Sequence, residues 1–250
     1  MANKFEIYRF DNCPTKRWLQ DQIYSHLSKR IKSNIMIVGS PSVEPQITNG
    51  FKIASTPKAN IYLVEKNAKR FYEMSRRCHV LKGIPEGPRY DTPEGWPENW
   101  YSRVIRLYTS VAAYEEAASL NQPVRFEDLD MCQTMVSIEP LVRYRLALQS
   151  RIGGYSAKLR KCMLITSALR HCDLETTLDT ISNILVDTLG ISIGMWSSAS
   201  GAKHSRLYKE HGVKEYSPYI SDHGRVLKNG LHLFSYADKA PMFSCIILYV

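Results

Sequence analysis

Val124 to Thr134 reads VRFEDLDMCQT. It starts as a β-type run and closes on two carboxylates, Asp128 and Asp130. In an open parallel sheet, ligands and chemistry collect at the carboxyl ends of strands. An Asp-Leu-Asp ending such a strand is therefore a candidate site, and equally a helix cap or a turn. Its meaning depends on whether the rest of the chain builds a nucleotide-type pocket.

Upstream, Leu19, Ile23, Leu27 and Ile31 recur every fourth residue and predict a helix over 15–31. IMIVGSP, 35–41, and IYLVE, 61–65, are short apolar runs of the kind buried in parallel sheets. The chain between them suffices for a short crossover helix. Residues 67–78 read as a second helix, RVIRLY at 103–108 as a strand, and VAAYEEAASL at 111–120 as a helix. Beyond VRFEDLD come a helix at 138–148, a strand at 162–169 (CMLITSAL), and a helix marked by Leu174, Leu178, Ile181, Leu185 and Leu189. Asp173 is placed to cap the start of that last helix and Gly190 its end.

Residues 82–102 form a Pro/Gly-rich insertion carrying Trp96 and Trp100. Packing of the insertion, or stacking on a base, would explain these two rings. Residues 194–230 read as loop-rich and basic. Leu231–Tyr236 and Met242–Val250, joined by ADKAP, read as a hairpin. The expectation is a single α/β domain over 1–250: a helical lead-in over 1–34, a mixed, mostly parallel sheet, and a basic loop with a closing antiparallel hairpin over 194–250.

Composition narrows the function. The formal net charge of +9, from 33 Lys+Arg against 24 Asp+Glu, favours an anionic partner such as nucleic acid. The six cysteines show no C-x-x-C pair and no zinc-ligand spacing, which fits free thiols in a reducing compartment. The histidines form no spaced metal set. No apolar run approaches the roughly 20 residues of a membrane-spanning helix. The expected location is cytoplasmic, with no membrane partner and a protein partner left open. P-loop, G-x-S-x-G and H-E-x-x-H strings are absent.

Five alternating strand–helix units with a closing hairpin resemble the class I S-adenosylmethionine-dependent methyltransferases, in order of elements over about residues 15–250. The first strand ends in the tight turn VGSP, where that family has its glycine-rich loop. The second ends in Glu65, 26 positions after Gly39, and the fourth in Asp130. MLITSALR fits the family's fifth strand. Compact, divergent chains of this type are also reminiscent of bacteriophage proteins.

The resemblance implies roles. Gly39 and Ser40 would let the backbone approach the methionine part of S-adenosylmethionine. Glu65 would accept hydrogen bonds from the ribose hydroxyls. Thr109 and Ser110 would lie near the adenine. Asp130 would face the transferred methyl group, holding the acceptor or the cofactor's amino group. The implied activity is methyl transfer to nucleic acid, RNA before DNA. Lys203, Arg206 and Lys209 are the candidate nucleic-acid contacts.

The pattern also departs from the family. VGSPSVEP has one glycine, with Pro41 and Pro45 close behind. Proline removes an amide donor, so the alternative is a fold that has lost its cofactor and serves as a nucleic-acid- or protein-binding module. Glu127 stands where a buried central strand prefers an apolar residue. Asp128 reads as structural.

Overall fold

A computed structural model describes residues 13–39, 49–50, 52–54, 61–65, 105–108, 124–131, 133–151, 160–169, 172–198, 203–238 and 240–250. The chain divides into two compact units, one built on 20–128 and one on 11–19 with 129–250. Two elements run through the division. Helix α1 spans Pro14–Leu27, and strand β4 spans Val124–Asp130.

The first unit carries β1 (Asn34–Val38), β2 (Ile61–Val64) and β3 (Ile105–Tyr108), in the order β3-β2-β1-β4. β1 pairs parallel with β2, Val38 opposite Val64, and β2 pairs parallel with β3. Every residue of β1 and β2 is buried. That is why both read as unbroken apolar runs, since a strand covered on both faces has no polar side to alternate. Asn49, Gly50, Lys52 and Ile53 are helical and belong to the crossover from β1 to β2. A Cβ at Gly50 would come within 3.3 Å of Ile61 Cδ1, so this crossover rests closely on β2. The order β3-β2-β1-β4 is that of a doubly wound Rossmann-like sheet, and its direction of growth reverses between β1 and β4.

The second unit continues from the last residues of β4 through β5 (Lys161–Ala168), β9 (Pro241–Tyr249), β8 (Val226–Ala237), β7 (Lys214–Asp222) and β6 (Ser192–Ser198). Beyond the end of β4, the Met131 amide donates to Thr166 O at 2.8 Å and the Ala168 amide to Gln133 O at 3.0 Å. The two bonds advance in the same direction along both chains, as between parallel neighbours. β9 then pairs antiparallel with β5 along its whole length, Lys161 opposite Tyr249 and Ala168 opposite Met242. The buried pair Thr166–Ser244 joins hydroxyl to hydroxyl at 3.1 Å.

Helices α2 (Met135–Arg151) and α3 (Leu174–Leu189) pack on one another. Arg143 spans the pair, donating to Glu139 at 2.8 Å and to Asp187 at 2.5 Å. Thr134 accepts the first amide bonds of α2. At its other end Lys161 Nζ donates to Gln149 O and Arg225 to Ser150 O, two cations on the carbonyl end of the helix dipole. Asp173 caps α3 by accepting from the Thr176 amide at 2.6 Å, and the Gly190 amide closes it on Val186 O, both as the sequence predicts.

The tail differs from its reading. The described residues of 194–230 are not loop-rich: they hold most of β6, helix α4 (Lys203–Glu210), β7 and the start of β8. The expected hairpin is real, β8 with β9, yet it is half of a four-stranded antiparallel set. β6 (SIGMWSS) and β7 (KEYSPYISD) escape notice because serine, glycine, proline and charge dilute their β-type signal. The sheet is mixed, as expected, with a larger antiparallel part. The helices read at 67–78 and 111–120 and the insertion over 82–102 lie outside the described residues.

Candidate functional site

At the end of β1, Gly39 has φ +78°, a left-handed conformation that side chains resist. This turn keeps its amide on the neighbouring strand, donating to Val64 O at 2.9 Å. Glu65 follows Val64 and is 4% exposed. The first unit therefore sets a left-handed glycine and a buried carboxylate on the ends of two adjacent parallel strands. Ser40, Thr109 and Ser110 lie outside the described residues.

Asp128 and Asp130, two residues apart on β4, share one face of the strand, and Glu127 turns to the other. Within the first unit, Tyr24 of α1 donates to Asp128 Oδ2 at 2.5 Å and sets its ring 5.1 Å from Phe126. Asp128 is thus a structural acceptor, as its sequence reading has it. Glu127 is also buried.

Within the second unit, Asp130 is fully buried and takes the Lys16 ammonium at 2.6 Å. Asp130 does not cap helix α2, because Thr134 fills that role. The first turn of α1 is fastened around this pair. Both carboxylate oxygens of Asp238 accept its amides, from Thr15 at 3.1 Å and Lys16 at 3.0 Å. Trp18 stacks on His211 at 3.9 Å and meets Tyr208 edge-on at 5.6 Å. Sequence reasoning missed Lys16 entirely. A lysine 114 residues from its carboxylate leaves no local spacing to read.

Lys203, Arg206 and Lys209 lie on α4. Arg206 is 89% exposed in its side chain and bonds along the helix to Glu210 at 3.3 Å. Lys209 is exposed as well. On its other side α4 is anchored by Tyr208, whose ring lies 5.2 Å from Phe234 of β8. Burial pushes the Tyr208 hydroxyl above the ordinary tyrosine range, with Glu215 adding to the effect. Among the described residues, no group of three or more His, Cys, Asp or Glu could hold a metal ion, and no helix is long and apolar enough to cross a membrane.

No family model matches the chain, and no curated protein matches it. Solved structures do resemble it. The plantazolicin methyltransferase BpumL in complex with SAH is 10% identical at a TM-score of 0.48, over 97% of this chain and 88% of that one. Magnesium protoporphyrin IX methyltransferase from Synechocystis PCC 6803, with bound SAM, is 11% identical at 0.46, over 98% and 86%. PH0851 is 11% identical at 0.44, and there this chain covers 92% of itself and 46% of the other, less than half its length. The fold class rests on the strand order itself: an α/β protein with a Rossmann-like mixed sheet.

Proposed function

We propose that the chain binds S-adenosylmethionine and transfers its methyl group to a nucleic acid, RNA before DNA. The observation that supports this reading is the pairing of Gly39 and Glu65 on adjacent parallel strand ends. A left-handed glycine admits close backbone approach, and a carboxylate one strand over is what a ribose diol requires. The cofactor, when bound, supplies a methyl group on an electron-poor sulfonium. Such a displacement needs alignment more than a protein nucleophile. Glu65 would hold the ribose and Gly39 would make room for the methionine part. The net charge of +9 and the cations of α4 support a polyanionic acceptor.

Isothermal titration of the full chain with S-adenosylmethionine and S-adenosylhomocysteine tests the first half. Binding should appear and weaken about tenfold or more in Glu65→Gln, since a charge-assisted bond contributes about 1.5–3 kcal/mol. No heat at millimolar ligand would defeat the reading and leave the cofactor-free binding module in its place.

A further inference from the structure

The β6–β7 ribbon has two unlike faces. Met195 pairs with Tyr219, Trp196 with Pro218, and Ser197 with Ser217. Trp196 turns toward α3, where its indole N–H donates to Ser182 Oγ at 3.0 Å. Met195 and Tyr219 point the other way and are 65% and 66% exposed, the two most exposed large apolar side chains among the described residues. They flank an irregularity in β6 between Ile193 and Met195. Gly194 sits there, and a Cβ on it would come within 3.2 Å of the Tyr219 ring. The ring thus rests on bare backbone at one edge and stays open elsewhere.

Helix α4 lies on this same face. Alternation along β7 puts Glu215 with Ser217 and Tyr219. Glu215 is opposite Phe234 of β8, and Phe234 carries the Tyr208 ring of α4. The open aromatic and the exposed cations Arg206 and Lys209 therefore share one side of the sheet.

We propose that this face is a platform for single-stranded nucleic acid: an unpaired base stacks on Tyr219 beside Met195, and Arg206 and Lys209 meet the phosphates. It rests on the reading of a nucleic-acid acceptor and names the surface that would select it. One ring and one thioether among serines make too small an apolar area for a protein interface, which needs about 800 Å² from each partner. A π-face with neighbouring cations is what an unpaired base requires. A base inside a duplex presents no free face to the ring, so duplexes are discriminated against.

The test is fluorescence anisotropy of the full chain without cofactor, using a labelled 12-nucleotide RNA, the same sequence as DNA, and the RNA duplex. The wild type should bind the single strands at least about fivefold more tightly than the duplex. Tyr219→Ala should weaken binding about tenfold, as removing one stacked base does, and Tyr219→Phe should restore it. Arg206→Ala with Lys209→Ala should flatten the slope of log K against log salt by about 1.4, near 0.7 for each phosphate no longer neutralised. Equal affinity of wild type and Tyr219→Ala overturns the proposal, as does preference for the duplex. A self-association in sedimentation that Tyr219→Ala abolishes, with RNA affinity unchanged, also overturns it in favour of a second copy. Titration of the wild type with S-adenosylmethionine is independent of all these arms, so failure here and failure of the cofactor reading are separate results.

Discussion

Removing the Lys16 ammonium should cost far more than the ion pair is worth. At 2.6 Å and an effective dielectric of about 20, the attraction is roughly 6 kcal/mol. Both groups are desolvated, with side-chain exposures of 6% and 0%, and desolvation costs several kcal/mol per ion. The net contribution of the pair is therefore near zero. Lys16→Met removes the attraction while leaving the Asp130 carboxylate in its buried place. That should destabilise by about 3–5 kcal/mol, equivalent to a fall in Tm of about 6–20 °C for a chain of this size. Asp130→Leu should cost a similar amount by removing the carboxylate that the buried ammonium meets. The double variant, Lys16→Met with Asp130→Leu, should recover most of the loss, because replacing a buried pair by apolar groups is often neutral. Urea denaturation at pH 7, followed by tryptophan fluorescence, measures all four corners of the cycle. Two results refute the reasoning: a Lys16→Met cost under about 1 kcal/mol, which means water reaches the pair, or a double variant whose cost is the sum of the singles.

Gly224 has φ +47°, and a Cβ there would lie 2.3 Å from Leu189 O and 2.4 Å from Gly190 O. Gly224→Ala should lose about 2 kcal/mol or more in urea, since backbone must move as well as strain. Asp173 is held below the usual carboxylate range by its bond from the Thr176 amide. Its charge therefore stabilises the fold above the unfolded value near 3.9, and that part is lost as pH falls through the lower folded value. The stability gap between wild type and Asp173→Asn should be constant from about pH 7 to pH 5 and shrink steadily as the pH falls below the unfolded value; a gap that does not shrink on acidification contradicts the cap. Burial raises the Cys245 thiol far above the ordinary range, and Cys162 is buried too, whereas Cys13 and Cys172 are partly exposed. Alkylation at pH 8 with peptide mass spectrometry should label Cys13 and Cys172 in the folded protein, and Cys162 and Cys245 only in denaturant.

The parallel half of the sheet was legible because burial on both faces leaves a contiguous signature. NIMIV and IYLV could hardly be anything else once Gly39 and Glu65 punctuated them. Helix α3 was legible for a different reason: its cap, apolar stripe and terminal glycine are all local and all agree. The β6–β7 ribbon was hidden by the same logic run backwards. A ribbon open on one face has little burial to encode, so its strands carry serine, proline and glycine.

The stretch VRFEDLD shows the limit most clearly. Only its strand character follows from its own residues, since the Tyr24 hydroxyl on Asp128 comes from 104 residues away. The partner of Asp130 does not follow from them either, because Lys16 reaches it from the far end of the chain. A buried carboxylate can be suspected from sequence when it interrupts an apolar run. Whether it waits for a ligand or already holds a cation is decided by tertiary contact. Here the first turn of α1 decides it, with Asp238 and His211 fastening that turn in place. Any acceptor that used Asp130 would have to share it with Lys16 or displace it. Methyl transfer that survives Asp130→Leu paired with Lys16→Met would therefore assign the pair to folding and leave the chemistry to Gly39 and Glu65. Transfer abolished in that stable double variant, with cofactor binding intact, would assign the pair to the acceptor.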